Sequence, residues 1–136
     1  MTINEIQDEI INEFSSLEEG FEKYKRIVDM GKSLKPLKKE YRTEEYLING
    51  CQSEVWLKGE IKDNRIYFTA DSNALITKGI IALLLRVLND QSPEDIINNE
   101  LYFIDRIGLS SNLSPARGNG LYSVVNSIKS FAEKNV

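Results

Sequence analysis

The chain carries one thiol, Cys51, and no histidine. Without an imidazole, neither Ser-His-Asp nor Cys-His nucleophilic catalysis can be assembled within it. One Cys and no His cannot make a usual zinc or iron–sulfur site, which takes about three or four such ligands. No internal disulfide is possible. What remains is one-thiol chemistry that leans on a partner. An isolated Cys is otherwise a small buried apolar residue, so its surroundings must choose between the two readings. They are Asn49-Gly50-Cys51-Gln52-Ser53. A core cysteine normally sits in an apolar run, and this stretch is polar. Gly50 admits a tight loop, and loops on a rigid scaffold are where reactive groups concentrate.

The elements that must hold this loop can be read on either side of it. Ile3, Ile6, Ile10 and Phe14 recur at helical spacing and predict a first helix. Ser16-Leu17-Glu18-Glu19 has the form of a capping box opening a second helix. Its apolar face would be Leu17, Phe21, Tyr24 and Val28, and Gly31 would stop it. Lys32 to Glu40 is a charged connector around Pro36. Its lysines 32, 35, 38 and 39 form either a solvated face or a dock for an acidic partner. Three β-compatible segments follow: 45–49, 54–60 and 65–70. Ile66 and Phe68 fall on one face of the last, Tyr67 on the other, and Asp63-Asn64 reads as a tight turn. Asp71-Ser72-Asn73 offers cap residues for a helix over 74–88, apolar nearly all round and so a core helix. Ser92-Pro93 and Ser114-Pro115 each start a further helix with proline in first position. The last buries Leu121, Val124, Val125, Ile128 and Phe131. Trp56 is expected in the core or supporting the loop.

This order predicts an α+β fold, a small three-stranded antiparallel sheet with helices packed on one side. A length of 136 residues suits a single domain over 1–136, with enough core to fold without a disulfide or metal. A net charge of −4 argues against nucleic acid or an anionic membrane as the main partner. The acidic N-terminus is unlike a secretory signal, and the apolar stretch near 79–85 is too short to span a bilayer. A single thiol suits a reducing compartment. The chain is therefore expected to be soluble and cytoplasmic.

Three blocks then resemble one family. Gly50-Cys51-Gln52-Ser53-Glu54-Val55-Trp56-Leu57 is similar to the active-cysteine signature of the SufE family of sulfur-acceptor proteins. Ala70-Asp71-Ser72-Asn73-Ala74-Leu75-Ile76-Thr77-Lys78-Gly79 resembles the family's next motif, and Leu113-Ser114-Pro115-Ala116-Arg117-Gly118-Asn119-Gly120-Leu121 its C-terminal one. Order and spacing fit over essentially the whole chain. Two positions depart: Asn73 stands where many members have a second acidic residue, and Ala116 where many have Ser.

The resemblance implies an IscU-like α+β fold and a covalent carrier rather than an independent enzyme. Cys51 would accept persulfide sulfur from a SufS-like cysteine desulfurase, stimulate that enzyme, and pass the sulfur to a Suf-type iron–sulfur scaffold complex. It implies no cofactor of the chain's own; pyridoxal phosphate belongs to the desulfurase. The chain would act as a monomer or weak homodimer. Gly50, Gln52, Ser53, Asp71 and Arg117 are candidates for loop support or partner contact, with Asp71 and Ser72 capping the core helix. Arg117, near the start of the last helix, would favour an anionic sulfur, aided by the helix N-terminus; its rival role is docking or a structural ion pair. The alternative for the whole chain is a docking module in which Cys51 is incidental. An iron–sulfur scaffold lacks ligands here, and a peroxide-reducing thiol protein lacks a resolving cysteine.

Overall fold

The computed structural model describes residues 1–18, 21–48, 54–107 and 115–136, with the side chains of 115–120 outside the description. Helix α1 spans Ile3–Ser15. It opens with a capping box at Thr2 and Glu5. The Thr2 hydroxyl accepts from Glu5 N at 3.1 Å, and Thr2 N donates to the Glu5 carboxylate at 2.9 Å. Ile3, Ile10 and Phe14 are buried, with Ile6 at the margin of the core. The capping box expected at Ser16 reaches Glu19, which lies outside the described residues. Ser16 is the C-cap of α1, and its hydroxyl donates back to Glu13 O.

Helix α2, Phe21–Ser33, is rotated from the expected face. Ile27 and Gly31 are buried, whereas Phe21 is 76% and Tyr24 53% exposed. Gly31 is not a stop. It lies inside the helix where α2 crosses α3, Leu75–Leu88, at Gly79. A Cβ on Gly31 would stand 2.8 Å from Gly79 N, and one on Gly79 only 2.0 Å from Ile27 O. Two side-chain-free positions thus let the backbones meet. Ion pairs from Arg86 to Glu9 and Glu13, and from Arg26 to Glu13, draw α1, α2 and α3 together at their rim.

Strands β1, Val55–Lys62, and β2, Arg65–Ser72, pair antiparallel from Val55↔Ser72 to Lys62↔Arg65. Asp63 and Asn64 join them with φ of 52° and 62°. Two positive values mark the hairpin turn expected from their types. Val55, Leu57 and Gly59 share a face with Ser72, Ala70 and Phe68, and helices cover it. Phe131 of α6, Pro115–Lys134, packs there edge-on to Phe68 at 5.6 Å and directly over Gly59. The opposite face carries Trp56, Lys58, Tyr67, Thr69 and Asp71.

The expected third strand is reduced to a single bridge, Leu47↔Trp56, so the described sheet has two strands. Ile48 N donates to Val55 O at 2.8 Å and Leu57 N to Tyr46 O at 2.9 Å. The other edge, along β2, is covered by Asn89 and Gln91. The Asn89 amide both accepts from Phe68 N and donates to Phe68 O, imitating a strand partner.

Helix α4, Pro93–Asn98, starts at proline behind the Ser92 cap, as expected. A short α5, Phe103–Arg106, is fixed by Gln7, which is fully buried; its amide donates to Glu100 O and accepts from Phe103 N. Among the described residues no helix is long and apolar enough to cross a membrane.

Gly79→Ala should destabilise the protein by about 2 kcal/mol despite alanine's better helix propensity, because the new methyl meets backbone. Urea unfolding checks this. A midpoint equal to or above the parent's would mean that the two helices separate freely.

Candidate functional site

Cys51, with Gly50, Gln52 and Ser53, lies outside the described residues, and so does the Arg117 side chain. What is defined is the frame around them. The segment 49–53 leaves from Ile48 and returns at Glu54. Ile48 is 8% exposed and Val55 fully buried, and the hydrogen bond between them ties the two flanks. Glu54 is held in turn by Asn73, across the sheet and just past the end of β2. Glu54 N donates to Asn73 Oδ1 at 3.1 Å.

Asp71 lies beside this base, opposite Trp56 in the ladder. It does not cap the core helix. The N-cap of α3 is Ala74, with no side-chain cap bond, and β2 runs on through Ser72. The Ser72 hydroxyl instead accepts from Ala74 N two residues on, at 3.2 Å. The Asp71 carboxylate points the other way, into the connector between α2 and β1. One oxygen accepts from Ser72 N at 2.8 Å and pairs with Lys78 Nζ at 3.4 Å. The other accepts from Leu37 N at 3.3 Å and pairs with Arg42. Asp71 is 1% exposed, and every one of these partners is a donor. Burial alone would raise its pKa. The amides of Ser72 and Leu37 and the charges of Lys78 and Arg42 outweigh it and hold the carboxyl below its usual range.

The connector is thereby pinned to the polar face of the sheet. Leu37 is buried, and a 3-10 turn follows at Lys39–Tyr41. The Arg42 guanidinium lies 5.7 Å from the centre of the Trp56 ring, and Lys58 Nζ 4.8 Å from that of Tyr41. Tyr41 meets Tyr46 edge-on at 5.7 Å. Trp56 is therefore a half-buried support rather than a core residue. Of the expected site residues, the structure defines Asp71 alone. It adds Arg42, Lys78, Glu54 and Asn73. Lys78 had a signal, since it shares a motif block with Asp71. Arg42 had none, being 29 residues away in a charged run. No group of three or more Cys, Asp or Glu able to hold a metal occurs among the described residues.

Asp71→Asn should cost roughly 2 kcal/mol at neutral pH, because two cations and two amides lose a charged acceptor. A depressed carboxyl stabilises the fold above its unfolded pKa and loses that contribution as pH falls through the folded one. The gap between the two proteins should therefore close below pH 3.8, the group's ordinary value. Urea titrations across acid pH read this. A gap undiminished in acid would make side-chain shape, not charge, the tether.

Known proteins resemble the chain in sequence and in fold. The family model SufE, described as an Fe-S metabolism associated domain, matches residues 8–132. An uncharacterised SufE-like protein of Rhizobium meliloti is 34% identical over 131 residues, 93% of this chain and 94% of that protein. SufE-like protein 1 of Arabidopsis thaliana, chloroplastic/mitochondrial, is 35% identical over 86% of this chain, which spans 32% of that longer protein. An uncharacterised SufE-like protein of Synechocystis is 30% identical over 85% of this chain and 72% of its own length. In fold, a hypothetical protein of Thermus thermophilus solved in solution superposes with a TM-score of 0.78 at 17% identity, covering 96% of this chain and 95% of that one. With the active-cysteine block, the Asp71 block and the block around Pro115 all inside the matched span, the chain belongs to the SufE family, whose domain is associated with Fe-S metabolism.

Proposed function

We propose that Cys51 is a persulfide acceptor that takes sulfur from a cysteine desulfurase, stimulates it, and delivers the sulfur to an iron–sulfur cluster assembly scaffold. One observation carries this reading. The chain's single thiol lies within the span matched by the family, between flanks fixed at Ile48–Val55 and Glu54–Asn73. SufE proteins work with cysteine desulfurases, which supply the missing half of the chemistry.

The step balances with one thiol. The Cys51 thiolate attacks the outer sulfur of the donor's persulfide. A new S–S bond forms on Cys51, the donor's S–S bond breaks, and its thiolate leaves. A second exchange, with a thiolate of the recipient, returns Cys51 to its starting form. No oxidant is needed, since the zero-valent sulfur only changes hosts. A general base within the chain is dispensable if the partner takes the thiol proton. Gly50, Gln52 and Ser53 shape the presentation of the thiol. Arg117, in the first turn of α6, stabilises the thiolate together with that helix's N-terminus. A single thiol fits the cytoplasm. The Arabidopsis relative's name carries an organellar address of its own.

Incubation with a cysteine desulfurase, pyridoxal phosphate and cysteine should add the mass of one sulfur, and Cys51→Ser should add none. Stimulation of the desulfurase that survives Cys51→Ser would favour the docking-module reading. Arg117→Ala should move the pH profile of Cys51 alkylation to higher pH. An unmoved profile would assign Arg117 to docking or structure.

A further inference from the structure

Glu54 lies one residue beyond the last rung of the hairpin, Val55↔Ser72. It is exposed, as is Asn73. Asn73 nevertheless engages it three times. Glu54 N donates to Asn73 Oδ1 at 3.1 Å, Asn73 N donates to Glu54 O at 3.4 Å, and Asn73 Nδ2 donates to Glu54 Oε1 at 3.4 Å. The carboxamide lets one side chain accept from the Glu54 amide through its oxygen and donate to the Glu54 carboxylate through its nitrogen. A carboxylate at this position would keep the acceptor but face the Glu54 carboxylate with like charge. An aliphatic side chain would lose both side-chain bonds. The family's usual second acidic residue would thus be a poor fit opposite Glu54 in this chain. Because both residues are exposed, the clasp adds little to global stability. Its effect is local: it holds the first residue after the thiol segment. The other flank, at Ile48, is already tied to Val55 O.

We propose that Asn73 is a positioning residue for sulfur transfer: acting through Glu54, it fixes the backbone three residues from Cys51 and so sets where the thiol meets the donor. This rests on Cys51 being the acceptor. Transfer between two proteins is sensitive to such placement, since small displacements of a reacting group cost one to two orders of magnitude.

The test follows sulfur uptake by intact mass, with a purified cysteine desulfurase, pyridoxal phosphate and cysteine, over a range of carrier concentrations. Asn73→Ala should lower the saturated rate about tenfold, leaving the half-saturating concentration within about twofold. Its melting temperature should stay within about 2 °C of the parent's. Asn73→Asp should be equally slow. Adding Glu54→Gln to Asn73→Asp should restore the rate, because the new amide donates to the new carboxylate and Glu54 N keeps its acceptor. A parent-like rate in Asn73→Ala, a loss that Glu54→Gln does not recover, or one that tracks half-saturation or melting would overturn the proposal. A parent chain that takes up no sulfur would remove the acceptor reading and this proposal with it. Normal loading of parent and Asn73→Ala alike would remove this proposal alone.

Discussion

The Asp71 carboxylate is the point at which the polar half of this molecule is tied together. It joins the connector, at Leu37 and at the turn by Arg42, to the end of β2 and the first turns of α3 at Lys78, across 29 to 34 residues of sequence. A buried charge is tolerated only when donors surround it. That requirement works in both directions. The carboxylate needs the connector folded over it, and the connector, short of regular structure, has few other reasons to lie there. Arg42, once drawn in, covers one side of Trp56. The frame of the thiol segment thus rests on electrostatic and hydrogen-bonding constraints at its polar face, and on packing beneath.

The packing beneath is unusually close at one place. α2 and α3 meet through Gly31 and Gly79 with no side chain between them. α3 then carries ten buried residues through the centre of the fold, presenting β2 on one side and α1 on another. Lys78 precedes Gly79 directly. One of the two cations that pair with Asp71 is therefore set at the close helix crossing. Apolar crossing and polar tether are adjacent links of one chain.

How much of this is visible in the residues depends on how local the cause is. The Asp63-Asn64 turn, the alternation in β2 and the Ser92-Pro93 start are legible because each is decided within a few residues. The face of α2 is not. A glycine at a helix crossing carries no hydrophobic signal, so Phe21 and Tyr24 outweigh Gly31 in any periodicity count. Among the described residues the third strand shrinks to one bridge, because Tyr46 N and Leu47 N are taken by turn bonds to Thr43 O and Glu44 O. Asp71 reads as a cap from its neighbours, whereas its partners lie 29 and 34 residues back. The Cys51 segment is legible for another reason: its motif is specific even where its geometry is not described.

The hairpin also bears on the order in which the frame assembles. A two-residue turn closes about the smallest loop a sheet allows, and isolated hairpins form in roughly 1–10 μs. Pairing from Asp63-Asn64 outward reaches Val55↔Ser72 without waiting for distant parts of the chain. Leu37 and Arg42, by contrast, must find Asp71 across a long loop whose closure costs more entropy. The downstream flank of the thiol segment is thus built early by local pairing, and the connector arrives on a surface already in register.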